Sequence, residues 1–444
     1  MKTRAEAQQE LLEKTPLSQA IASDRAEILN SGLAANLEMP HPIFIERGQG
    51  AYVYDADDNR YIDTSVGFGL HMLGHAHPEV AAAIHARAKK GWMFGIHSTA
   101  QMKLANLVHE GSPCAERVVF CNTGSEATMY AFRAARGFTG REKIALFDGF
   151  YHGAHDYGMW TTDPNSDRHA PQHMPLGRGI PRALHDLTLL LPYRDEAAFD
   201  LIRKHKEELA LVFIEGVQSS NPQSDVADFL SELRDVCAAC GVLFGIDEVI
   251  TGFRVAYDGA QGLFGVKPDI ATYGKVIGGG LPVGAVTGRA DLMDVFTGLQ
   301  AEKGVFSGGT FSGNPLTMEA GAAALLHLKD HPEIYTAMNE KTDRLASGVN
   351  QFCEQEGIPV QMKHVASMFH LFFQSEPVDS MRDVTGEHLQ AQKAFYLHCL
   401  NRGVLVPGTQ RAFLCAAHGD QEVDQLLKVF TESLADTAAE GLFA

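Results

Sequence analysis

The sequence predicts an α/β fold, a mostly parallel sheet covered by helices on both faces, with a smaller α+β domain beside it. Three observations lead there. Compact apolar strands recur between about residues 117 and 273 with helical intervals between them, the pattern of a sheet buried on both faces. The 444 residues exceed what one small core organises, so one large and one smaller domain are expected. Several strands end in polar or glycine-rich turns, where open α/β sheets build their sites.

Taken in order, residues 1–40 read as one or two amphipathic helices and an irregular segment, an arm suited to covering a partner surface. Residues 42–46 and 50–55 read as a β-hairpin, and Arg60–Asp63 as a third strand. A helix over 78–90 places Val80, Ala83, Ile84 and Arg87 at helical spacing. Arg117–Cys121 reads as a strand that turns through Asn122-Thr-Gly-Ser-Glu-Ala127 into a helix over 129–138. Strands follow at Lys143–Phe147, 189–191, 211–215, 242–247 and 270–273, with helices over 196–208 and Ala227–Cys240. A long alanine-rich helix starts near Leu316, and short elements at 368–373 and 411–415 close the chain. The expected division is 1–70 for the arm and part of the small domain, 71–325 for the large domain, and 326–444 for the rest of the small one.

The composition, 45% hydrophobic and 21% charged, is that of an ordinary globular protein. No apolar run is long enough to span a bilayer, and the first residues lack a signal peptide's apolar core, so a cytoplasmic protein is expected. A net charge of −18 argues against general nucleic-acid binding, since a phosphate backbone is repelled. Seven scattered cysteines do not form a disulfide framework. Cys237 and Cys240 end an amphipathic run that Gly241 caps, so helix packing is their expected role. His71, His75 and His77 lie in a turn with no matching acidic or cysteine set, and no metal is expected.

The chemistry centres on Lys275, set in the glycine-rich stretch from Ala271 to Gly284. Glycines let backbone approach a bulky group closely. A lysine amine can form a Schiff base with a carbonyl, the attachment that pyridoxal phosphate uses. The backbone N–H groups and the Ser125 hydroxyl at the opening of a helix suit a phosphate. Asp247 ends an apolar strand, where a buried carboxylate needs an arginine, backbone donors or a protonated pyridine nitrogen. Tyr151, just past a strand end, offers an aromatic face.

Seven motifs go further: Gly74-His-Ala-His-Pro78, Asn122-Thr-Gly-Ser-Glu-Ala-Thr-Met129, Ala135-Arg-Gly-Phe-Thr-Gly-Arg141, Tyr151-His-Gly153, Asp247-Glu-Val-Ile-Thr-Gly-Phe-Arg254, Gly274-Lys-Val-Ile-Gly-Gly-Gly-Leu-Pro-Val-Gly284 and Gly309-Thr-Phe-Ser-Gly-Asn-Pro315. From about residue 42 to 420 the chain resembles class III pyridoxal phosphate-dependent aminotransferases of fold type I, nearest their glutamate semialdehyde aminomutase branch. The resemblance implies that Lys275 is the Schiff-base lysine, Asp247 the partner of the pyridine nitrogen, and Tyr151 the residue stacked on the ring. Val249 is then expected on the opposite ring face, and Gly124 and Ser125 on the phosphate. Thr310 is expected to come from the second subunit of a homodimer with shared active sites. Glu126 and Glu215 match acidic positions lining the site, and Gln218 is placed to reach the cofactor's phenolic oxygen.

The chain also departs from the aminomutases. Residues 32–40 lack the arginine that holds the substrate carboxylate there, and no other side chain reproduces its bidentate geometry. Gln410 stands about where an aminomutase glutamate falls, with Arg411 beside it. Glu215-Gly-Val-Gln-Ser-Ser-Asn-Pro222 resembles the corresponding segment of assembly-line aminotransferases. Segments 67–72 and 92–97 are rich in apolar groups that suit core packing or an entrance for an alkyl chain. These departures lead to the expectation of an aminotransferase that moves an amino group from an amino-acid donor to a hydrophobic aldehyde or ketone, free or bound to an acyl carrier protein, in secondary metabolism. The alternatives are a glutamate-1-semialdehyde 2,1-aminomutase and a non-catalytic protein that only binds pyridoxal phosphate.

Overall fold

The computed structural model describes residues 2–25, 42–296, 304–407 and 411–443. They divide into two compact units: one takes the chain up to His77 with Glu333–Asp379 and Asp383–Ala444, the other Pro78–Pro332 with Ser380–Arg382.

The first unit opens with helices Arg4–Lys14 and Pro16–Arg25, where the sequence calls for one or two. Strands β1 (Ile45–Gln49), β2 (Tyr52–Asp55) and β3 (Arg60–Asp63) follow as an antiparallel meander. The hairpin's first strand starts at Ile45 rather than at residue 42. In the second unit lie β4 (Arg117–Cys121), β5 (Lys143–Phe147), β6 (Trp160–Thr162), β7 (His173–Pro175), β8 (Thr188–Leu191), β9 (Leu209–Glu215), β10 (Leu243–Glu248), β11 (Ile270–Gly274) and β12 (Gly284–Gly288). The chain then returns to the first unit with β13 (Gln361–Val365), β14 (Met368–Phe372), β15 (Val404–Leu405) and β16 (Ala412–Phe413). There β15 extends the meander beside β3, and β13-β14-β16 form a second small sheet.

The second unit is built on a seven-stranded sheet in the order β4-β12-β11-β10-β9-β5-β8. Its residues alternate between two cores, as strand geometry requires. In β9, Val212 and Ile214 pack with helices Ala197–His205 and Ala227–Cys240, while Leu211 and Phe213 face the helix Gly124–Thr139. Cys237 is buried in the first of these cores. Burying one such aliphatic side chain contributes about 1.5–3 kcal/mol, so these two layers fix the sheet and with it the strand ends.

Two departures from the sequence expectation bear on the site. The helix after β4 begins at Gly124, not Met129, because the Thr123 hydroxyl caps it by accepting from the Glu126 N–H at 3.1 Å. Strand β12 is unanticipated and runs antiparallel to both neighbours. Its sequence, Gly-Ala-Val-Thr-Gly, has no apolar run to announce it; it fits because a Cβ on Gly284 would lie 2.1 Å from the Thr123 carbonyl oxygen.

The glycines after Lys275 face the protein itself. A Cβ on Gly279 (φ +58°) would meet the Ala320 carbonyl oxygen at 2.4 Å, and one on Gly321 would meet the Ile277 carbonyl oxygen at 2.0 Å. The lysine turn thus lies directly on the backbone of helix Pro315–Asp330. Gly321→Ala is expected to destabilise the protein by about 2–3 kcal/mol through overpacking, read as a lowered urea midpoint at unchanged slope.

Candidate active site

The site forms at the carboxyl ends of β9, β10 and β11. Register places Glu215, Asp247 and Thr272 side by side across the three strands. Asp247 is buried, and its carboxylate is held from three directions. Oδ1 accepts from the Thr272 hydroxyl and the Val249 N–H, each at 3.0 Å. Oδ2 lies 2.8 Å from His152 Nδ1. Of the partners expected for this carboxylate, an arginine, backbone donors or a protonated pyridine nitrogen, a backbone donor is present, and the histidine is one the sequence did not announce. His152 is buried against Phe213, with ring centroids 4.9 Å apart, and its Nε2 has no hydrogen-bond partner among the described residues.

Lys275 follows β11 directly and is half-buried, with φ +47° in the left-handed region. A non-glycine residue held there stores about 1–3 kcal/mol of strain, which clusters at functional positions. Tyr151 is 41% exposed; its backbone N–H donates to Glu215 Oε1 at 3.2 Å. Glu215 Oε2 accepts from the Ser219 N–H at 2.7 Å. This carboxylate therefore ties two turns together.

At the other side stands the start of helix Gly124–Thr139. A Cβ on Gly124 would sit 2.7 Å from Val249 Cγ1, and one on Gly274 3.2 Å from the same atom, so Val249 joins the helix start to the lysine turn. Ser125 Oγ accepts from the Ala154 N–H at 2.9 Å, and Gly153 (φ +93°) leaves room for it. Glu126 accepts from the Asn122 N–H at 2.6 Å and from its side-chain amide at 3.1 Å, a local clamp on the turn. Gln218 is buried; its amide donates weakly to the Asp148 carbonyl at 3.5 Å, and its Oε1 has no partner among the described residues. Thr310 is exposed on a segment that crosses the helix start, where the Ser312 hydroxyl lies 3.3 Å from the Asn122 amide.

Residues 32–40 and Gln410 lie outside the described residues, while Arg411 is half-buried in the first unit. Trp92, Phe94 and Ile96 are exposed, so they are not core residues of the single chain. In the first unit His75 pairs with Asp63 at 2.8 Å.

A second histidine, His155, accepts from or donates to the Thr128 hydroxyl at 3.0 Å. Burial, and secondly the neighbouring His152, push its pKa down to about 4. Because the unfolded chain takes up this proton near pH 6.5, stability is fully present above that pH and is lost as pH falls toward 4. The expected loss is about 2 kcal/mol between pH 7 and 4.5, and His155→Gln is expected to flatten it, as urea titrations at the two pH values will show.

The model of the family described as aminotransferase class-III matches residues 33–429. The chain belongs to the class III aminotransferase family. Among its relatives, the glutamate-1-semialdehyde 2,1-aminomutase 1 of Lachnoclostridium phytofermentans is 38% identical over 87% of this chain and 90% of its own. The corresponding aminomutase 2 of Exiguobacterium sp. is 40% identical over 87% and 88%. In structure, an omega-transaminase from Sphaerobacter thermophilus has a TM-score of 0.89 at 31% identity, covering 95% of this chain and 98% of its own. The fold is that of the fold type I transferases.

These relatives correct the expectation of a hydrophobic-carbonyl aminotransferase of secondary metabolism. Six relatives, 36–40% identical over 87–91% of the chain, are named glutamate-1-semialdehyde 2,1-aminomutases. The expectation rested on an arginine absent from one segment and on apolar residues near an entrance. A missing group at one position does not define what takes its place, and the exposure of Trp92, Phe94 and Ile96 rules out only the core role for them. No relative named here points to a carrier protein.

Class III enzymes work with pyridoxal phosphate, and the residues present fit that group. Asp247 supplies a buried carboxylate, Gln218 a buried acceptor without a partner among the described residues, and the start of helix Gly124–Thr139 a set of first-turn N–H groups for a phosphate.

Proposed function

We propose that this class III enzyme is a pyridoxal phosphate-dependent aminomutase that moves the amino group of glutamate-1-semialdehyde from C2 to C1, giving 5-amino-4-oxopentanoate. The observation that carries the proposal is the shared name of six relatives over most of the chain. No second amino compound is consumed, since substrate and product are isomers.

Pyridoxal phosphate, when bound, supplies an aldehyde carbon that takes up an amine and a ring that withdraws electrons from the carbon losing a proton. Lys275 would be the amine that carries it and the base that takes the proton from the substrate carbon. Asp247 keeps the pyridine nitrogen protonated, with its carboxylate fixed by Thr272, the Val249 N–H and His152. Tyr151 and Val249 hold the two ring faces. Gly124 and Ser125 bind the phosphate at the positive end of their helix, where first-turn N–H groups lack intrahelical acceptors.

The enzyme is a homodimer in this proposal, with Thr310 reaching the neighbouring subunit's phosphate site and the cytoplasm as its compartment. Exposed Met102, Phe306 and Phe311 support a covered surface, and Gly313 packs on Gln101, next to Met102. Light scattering of the eluted protein is expected to give twice the chain mass.

The test is incubation of the loaded enzyme with glutamate-1-semialdehyde and no other amine. The expected result is sustained many-turnover formation of 5-amino-4-oxopentanoate. Product formed only when a separate amino donor is supplied contradicts the proposal.

A further inference from the structure

We propose that Arg382 is a positioning residue for Tyr151, acting through Asp148; the proposal rests on the cofactor site described above. Arg382 lies on the short turn Met381–Asp383, and Ser380–Arg382 belong to the second unit although their flanking residues belong to the first. Its Nε lies 2.5 Å from Asp148 Oδ2, with the two side chains only 14% and 10% exposed. The rest of the guanidinium is engaged at once: Nη2 donates to the Ser166 hydroxyl at 3.0 Å and Nη1 to the Ser166 carbonyl at 3.3 Å. The Thr162 hydroxyl donates to the other oxygen of Asp148.

Asp148 is the first residue of the turn that delivers Tyr151. Its N–H donates to the Leu191 carbonyl at 3.0 Å. Gly149 (φ +80°) lies under Met381, whose Cβ is 2.7 Å from where a glycine Cβ would be. The next residue, Phe150, is buried against Tyr193 with centroids 4.9 Å apart. Residues 148–150 are thus fixed from both sides, and Tyr151 emerges from them 41% exposed. The turn thus sets where the Tyr151 backbone leaves it, and with it where the ring begins.

A buried ion pair is a poor stabiliser compared with apolar groups of the same size, because desolvation offsets the attraction. What an arginine fork adds is direction. Its planar donors meet Asp148 and Ser166 in one geometry, which a lysine ammonium cannot do.

The test measures pyridoxal phosphate affinity of the full-length protein by quenching of its intrinsic fluorescence, together with the melting temperature of each apo variant. Arg382→Met is expected to weaken binding about tenfold, the value of one charged hydrogen bond. Arg382→Lys, which keeps the charge but places its three donors on one nitrogen instead of a planar fork, is expected to fall between it and wild type. In a Tyr151→Ala background Arg382→Met is expected to cause no further loss, a coupling that a merely structural role does not produce. Wild-type affinity in Arg382→Met overturns the proposal, and so does an equal tenfold loss with Tyr151 absent. Should the methionine variant fail to fold, wild-type affinity in Arg382→Lys overturns it. Failure of the wild-type chain to bind pyridoxal phosphate overturns the site itself and the proposal with it.

Discussion

Lys275→Ala is expected to lower aminomutase turnover about ten-thousand-fold, the scale of losing a positioned acid–base group. The variant loses both the amine that carries the cofactor and the base that moves the substrate proton. Neighbouring residues do not replace either, since the next residues of the turn, Val276 and Ile277, are buried aliphatics. The fold is expected to persist, because Lys275 itself is only half-buried. Backbone strain gives a second, independent readout. With φ +47° imposed by the turn, Lys275→Gly is expected to be more stable than Lys275→Ala by about 1 kcal/mol, seen as a higher melting temperature with equal loss of activity. Equal stability of the two variants contradicts the strain argument, and retained turnover in either contradicts the assignment of Lys275.

Asp247→Asn is expected to cost about a thousandfold in kcat while changing KM little, the signature of an interaction that matters for the chemical step. The amide can still accept from Thr272 and the Val249 N–H. Its NH2 group then faces His152 Nδ1, 2.8 Å from the position of the carboxylate oxygen in the wild type. Two donors cannot share that contact, so His152 must carry its proton on Nε2, which is buried without a partner among the described residues. The substitution therefore removes the charge that keeps the pyridine nitrogen protonated and inverts the histidine behind it. Asp247→Glu keeps the charge but shifts it by a methylene, and a smaller loss there than in the asparagine variant separates charge from geometry. Near wild-type kcat in Asp247→Asn contradicts the role given to the carboxylate.

Much of this was legible in the chain itself. The central strands announce themselves because Leu211, Val212, Phe213 and Ile214 are buried together, leaving a continuous apolar run. Lys275, Asp247 and Tyr151 stand at or just past strand ends, where polar residues after apolar runs are conspicuous. Strand β12 was illegible because its place depends on Gly284 admitting the Thr123 carbonyl and Gly288 the Asp269 carbonyl, the first a contact distant in sequence. The glycines around Lys275 suit a close backbone approach to a bulky group; at Gly279 the group approached is the backbone of helix Pro315–Asp330. His152 and Arg382 escaped notice for one reason: each acts through a carboxylate far away in the chain, 95 residues for Asp247 and 234 for Asp148. Substrate choice was the weakest inference, since it leaned on an arginine missing from residues 32–40.

The most direct measurement of the central claim is borohydride reduction of the protein loaded with pyridoxal phosphate, followed by peptide mass mapping. Reduction fixes the cofactor to whichever amine carries it. A single modified lysine, Lys275, is expected, with the modification and the visible absorption band both absent from Lys275→Ala. Attachment at another lysine, or no attachment in the wild-type protein, contradicts the claim.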